Sequence, residues 1–164
     1  MVAYDATQWS ELFVASAGAA AALAGLVFVA VSINLKAILA QRGLPERALQ
    51  TVLMLAIVVV VSIVGLIPGQ EHVALGIELL VVAASYSAGL AATSRNSLPT
   101  GDAPRSWLVG RVLLLSLGAV PFLVGALSVL AESGGGLYWI AAGIIGAIFG
   151  GITNAWVLLV EIQR

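Results

Sequence analysis

Residues 11–36 read ELFVASAGAAAALAGLVFVAVSINLK, and the reading of this stretch decides the fold. It opens on an acid, closes on a base and has no charge between them. A helix needs about 20 apolar residues to cross a bilayer core, so the run is long enough with some to spare. Glu11, Gly18, Gly25 and Ser32 recur every seven residues, with Ala15, Ala22, Val29 and Lys36 between them at the same interval. On a helix these positions share one face, and small side chains along it let another helix come close. Gly18, Ala22 and Gly25 are therefore expected to form a packing seam, against the last helix of the chain or a neighbouring copy.

Outward from this stretch the chain keeps the same character. Of its 164 residues 61% are hydrophobic and 9% charged, and the mean hydropathy is +1.10. A soluble domain carries about 25% charged residues. The surplus apolar surface cannot hide in one small core, so lipid must be the solvent for most of it. Residues 1–164 read as a single transmembrane domain. There is no cysteine, which excludes disulfides and thiolate-ligated metals. A net charge of −1 gives nucleic acid nothing to bind. The opening MVAYDATQWSE is acidic and lacks the basic region of a secretory signal, so the first apolar run is expected to remain in the mature protein.

Turn residues cut the chain into five apolar helices, at about 11–39, 47–67, 72–93, 105–131 and 137–161. Pro45 suits a first helical turn and Pro68-Gly69 a helix stop; Asp102 is placed to cap the fourth helix ahead of Pro104, and Ser133-Gly134-Gly135-Gly136 makes the last turn. The second run, containing IVVVVSIVGLI, is the most uniformly apolar and is expected to face lipid over much of its girth. The fold class is thus all-α, a bundle of five transmembrane helices. With five spans, Lys36, Arg42, Arg47, Arg95, Arg105, Arg111 and Arg164 all fall on one side. The positive-inside rule makes that side cytoplasmic and puts the N-terminus outside. Trp9, Tyr138 and Trp139 then anchor the outer interface, and Trp107 and Trp156 the inner one.

Catalytic motifs are missing. One histidine excludes multi-histidine metal sites, no phosphate-binding glycine loop follows a strand, and no nucleophile–base pair is available. The expectation is a protein that is not an enzyme and uses no cofactor or metal. His72 beside Glu71 reads as a proton relay or pH sensor at the outer surface or, more plainly, as a solvated residue at a helix start. Glu78 is the residue of most interest. At about 1.5 Å per residue it lies roughly 8 Å past Val73, inside the third span. A carboxylate there must face protein or water. Ser85, Gly89 and Thr93 follow it at later turns with Tyr86 alongside, so the third helix carries a polar stripe.

The fifth helix has a second stripe through Gly143, Ala147, Gly150 and Asn154, overlapped by Gly146-x-x-x-Gly150, a helix-packing signal. Asn154 reads as hydrogen-bonded glue between helices or as part of a permeation path. Glu161 and Arg111 share one end and are placed to pair. Pro121 falls mid-span in the fourth helix, where it leaves the carbonyl of Leu117 without its helical partner, a break that reads as a kink, a hinge or an ion-coordinating point. Lys36 is expected to extend to the headgroups.

Three pieces, GAAAALAGLVFVAVSIN at 18–34, LIPGQ at 66–70 and GGLYW at 135–139 with NAWVLLVEI at 154–162, resemble small multi-span membrane proteins of high-GC bacteria. Six arginines to one lysine fit that source. The resemblance implies multi-pass residence in a bacterial cytoplasmic membrane and an accessory role beside a larger membrane protein or protease complex. The residues themselves leave two readings. One is a homo-oligomer that conducts a small cation or protons, with an acidic outer face and Glu78, Ser85, Tyr86 and Asn154 along the path. The other is a non-catalytic accessory or scaffold subunit docked through its seams.

Overall fold

The computed structural model describes residues 2–41, 43–96 and 105–162, and of 95, 96, 105–115, 161 and 162 the backbone alone. Every described element is a helix. Two 3-10 turns, Val2–Tyr4 and Ala6–Trp9, lead into α1 (Ser10–Ile33). A short α2 (Leu35–Ala40) follows, then α3 (Leu44–Gly65), α4 (His72–Asn96), α5 (Arg105–Leu130) and α6 (Leu137–Ile162). Four of these are long and apolar enough to cross a membrane, at Ala6–Ile33, Leu44–Gly65, His72–Ser94 and Leu137–Val160. Ser116–Leu130 of α5 is a shorter apolar stretch.

The first expected helix is broken. Asn34 ends α1 with its backbone at φ −102°, and both its N–H and its side-chain Nδ2 donate to the carbonyl of Ala30, at 3.3 and 2.9 Å. An Asn amide that takes the acceptor the helix needs is a local alternative to propagation, and the chain restarts as α2. Gly43 then reverses it at φ +86°, a conformation that costs glycine no steric penalty, and α3 begins at once with Pro45 in its first turn.

Helices α3, α4, α5 and α6 form a closed ring, each packed on the next and α6 returning to α3, while α1 lies outside it on α3. This makes α3 the centre post. Over its most apolar window 56% of residues are buried, against 17% in α1. The expectation that the Val-rich second run faces lipid is therefore corrected: Ile57, Val58, Val61, Ser62 and Gly65 are all buried. Lipid tails and protein interior are equally apolar, so hydropathy alone does not separate the two surroundings. Contact with α1, α4 and α6 does.

Candidate functional site

The N-terminal end of the bundle is a built cap. Asp5 accepts from the backbone N–H and hydroxyl of Thr7, and Trp9 Nε1 donates to the carbonyl of Val2 at 2.7 Å. The hydrogen bonds from Thr7, side chain first and backbone second, hold the Asp5 carboxyl below its ordinary range. These turns sit on the α5–α6 connection. The Gly135 N–H donates to Tyr4 Oη at 3.2 Å, and the Trp9 and Tyr138 rings meet edge to face at 4.7 Å. Gly136, at φ +50°, lies under this segment; a Cβ there would come within 2.1 Å of the Ala3 carbonyl. Ser128 fixes the connection by accepting from the Gly136 N–H and donating to the Ser133 carbonyl. Beside the cap, a cleft of about 710 Å³ is bounded by Tyr4, Asp5, Gln70, His72 and Glu132. His72 Nε2 stands 3.6 Å from Glu132 Oε1, with both side chains more than half exposed, so water screens the pair.

Glu78 is half-buried at this same end, where its carboxylate accepts from the Gln70 amide. The expected stripe does not continue as one surface. Ser85 is exposed and returns its hydroxyl to the Val81 carbonyl at 2.8 Å. Tyr86 turns into the ring, edge-on to Phe122 with centroids 6.2 Å apart, its hydroxyl opposite Gly118. Thr93, two turns on, is buried.

At the opposite end a second group of polar side chains ties three helices together. Asn154 Nδ2 donates to Thr51 Oγ1 at 3.0 Å and to the Arg47 carbonyl at 3.2 Å. Gln50 Nε2 donates to Thr93 Oγ1 at 3.1 Å and to Ser94 Oγ at 3.3 Å. Gln50, Thr51, Thr93 and Asn154 are all buried, so α3 is bonded to α6 through one pair and to α4 through the other. Sequence reasoning missed Gln50 and Thr51, which fall near the start of the second run. Their signal was present: two adjacent polar residues within an otherwise apolar helix match two polar positions on its neighbours.

Between the two ends the ring is filled by Met54, Val58, Leu79, Ala83, Phe122, Ile144 and Ala147, all in one buried cluster. Of the four path candidates, Glu78 thus sits at one end, Asn154 at the other, Ser85 outside and Tyr86 in the packed middle. They are not brought together. Against protein-family models, curated proteins and solved structures, the chain finds no match. What the molecule does must be read from its own geometry.

The packing candidates divide cleanly. Gly146 faces the backbone of α5, where a Cβ would fall 2.6 Å from the Leu117 carbonyl; Gly150 is buried. Pro121 lies inside α5, which runs through it without interruption. Gly65, Gly76, Gly89, Gly118, Gly125, Gly143, Gly146 and Gly151 all have a neighbour within 3.4 Å of an added Cβ. Gly18 and Gly25 on α1 have nothing within 4 Å, and Ala22 between them is exposed. The seam therefore faces away from the bundle, and α6 does not cover it. Lys36 is exposed. The expected Glu161–Arg111 pair and the Trp107 anchor lie outside the described side chains. Among the described residues, no group of three or more His, Cys, Asp or Glu is placed to hold a metal ion.

Proposed function

We propose that this chain is a five-span protein of a bacterial cytoplasmic membrane, N-terminus outside, that serves as a non-catalytic assembly subunit and associates with a second copy through α1. The contrast among glycines carries the reading. Gly65, Gly76, Gly118, Gly125, Gly143, Gly146 and Gly151 on α3 to α6 are closed against neighbours, whereas Gly18 and Gly25 stand open on the side of α1 that points away from α3. In lipid, helices associate where small residues let backbones approach, and Gly18-x-x-x-Ala22 followed by Gly25 is such a face. Two copies meeting there by a two-fold axis along the membrane normal present the same surface to each other. Sidedness is supported by the segregation of every base to one side of five spans.

An ion conduit has to form between copies, because within one chain the polar ends are separated by Met54, Leu79, Ala83 and Phe122. Docking to a larger membrane protein uses the same α1 face and competes with self-association.

The chain has no cysteine, so each introduced thiol is unique. Ala22→Cys is expected to cross-link copies in native membranes, with dimers in native mass spectrometry that Gly25→Leu removes. Monomers throughout, with no cross-link at position 22, would overturn the proposal. An impermeant maleimide should label Gln8→Cys from outside, and Gln163→Cys only after permeabilisation.

A further inference from the structure

The cleft beside the N-terminal cap has two kinds of wall. It lies where three separate pieces of chain meet: the turns ahead of α1, the α3–α4 connection and the end of α5. Leu66, Ile67 and Pro68 from the connection and Leu75 from α4 give it an apolar side. Asp5 and Glu132 give it two carboxylates. Asp5 stays ionised at neutral pH, since the bonds from Thr7 hold its carboxyl below the ordinary range. Among the described residues no lysine or arginine lines the cleft to offset these charges. Gln70 adds an acceptor. Its Nε2 is committed to the Glu78 carboxylate, which fixes the amide and leaves Oε1 buried without a donor. The side chain as a whole is half-buried, so this oxygen lies one small turn of the amide from the cleft that Gln70 helps to wall.

We propose that this cleft binds a small organic amine as its ammonium ion, with its apolar body against Leu66, Ile67 and Leu75 and its charged head toward Asp5, Gln70 and Glu132. At about 710 Å³ the cleft falls within the range of small-molecule sites, roughly 300–1,000 Å³. The carboxylates select positive charge and reject an anion of the same shape. The unfilled acceptor selects an N–H over a fully alkylated nitrogen, because a buried oxygen left without a donor is costly. A bare metal ion fits less well: among the described residues no three His, Asp or Glu are placed to hold one. Asp5 and Glu132 are both exposed, so water screens each charge and neither dominates the binding. The site lies within one copy, so it depends neither on association through α1 nor on the direction of insertion.

The test is calorimetric titration of the full chain in detergent micelles with phenethylammonium, against empty micelles as reference. Two analogues keep the body of the probe: phenylpropionate has an anionic head, and phenethyltrimethylammonium has a cation without an N–H. Phenethylammonium is expected to bind saturably, the quaternary ion several-fold more weakly and phenylpropionate more weakly still. Asp5→Asn and Glu132→Gln should each weaken phenethylammonium by about threefold to fivefold, the worth of one charge at contact distance in water. Asparagine caps a helical turn as well as aspartate does, so Asp5→Asn removes the charge and keeps the cap. Phenylpropionate bound as tightly as the amine would overturn the proposal. So would an amine affinity unchanged when both carboxylates are replaced together, equal affinity for the quaternary ion, or heat no different from that of empty micelles.

Discussion

The carbonyl of Leu117 lies against Gly146: a Cβ added to Gly146 would stand 2.6 Å from the oxygen. Pro121, four residues on, has no N–H to offer that carbonyl. The proline that leaves this carbonyl without its helical partner and the glycine that lets it approach thus stand on facing helices.

Gly146→Val drives its side chain into main chain that cannot rotate away. The expected loss is on the order of 1–3 kcal/mol, the range for overpacking a close contact. Thermal unfolding in detergent measures it. A Gly146→Val protein as stable as its parent would contradict the contact.

The α1–α3 attachment rests on Phe13, whose ring would lie 2.4 Å from a Cβ on Gly65. Gly65→Val should loosen α1 and raise its amide exchange. Phe13→Ala in the same chain should restore part of the loss, because it removes the atoms that clash. Additive effects of the two changes would show that they do not meet.

Asn154→Leu removes both bonds from α6 to α3 at the end opposite the cap. Interhelical hydrogen bonds in membranes average about 0.6 kcal/mol and reach about 1.7. A loss of about 1 kcal/mol is expected, and Thr51→Val should add little on top of it. Equal and additive losses would mean that Asn154 and Thr51 act separately.

The cap is expected to open in acid. With its pKa held below the ordinary carboxylate value, Asp5 adds stability at neutral pH that is lost as pH falls through its folded-state pKa. Fluorescence of a protein retaining only Trp9 should change in that window, and Asp5→Ala should remove the change. The same transition in Asp5→Ala would assign it to another group.

Turns were the most legible part of the sequence. Pro45, Pro68-Gly69 and the glycines at 134–136 mark the starts and stops of helices because their backbone chemistry is local. The break at Asn34 was less legible, since it depends on a side chain outcompeting the next turn for one carbonyl. The role of α3 could not be read from hydropathy, because valine suits lipid and protein interior alike. Site residues followed the same division. Asn154 stood out as an amide inside a span, whereas Gln50 and Thr51 became part of the network only once α3 was placed between α4 and α6. The glycines of α1 and α6 looked equivalent in sequence; three-dimensional neighbours alone separate Gly146, closed on α5, from Gly25, open.

The cap also sets an order of assembly. Tyr4 precedes its partner at Gly135 by 131 positions. Ring closure has the same delay, since α3 waits for α6 to supply Asn154. Contacts this distant in sequence form late. A nascent chain makes α1 well before α6 and leaves the turns ahead of α1 undocked until the α5–α6 connection has formed. The state of those turns therefore reports whether α6 has arrived.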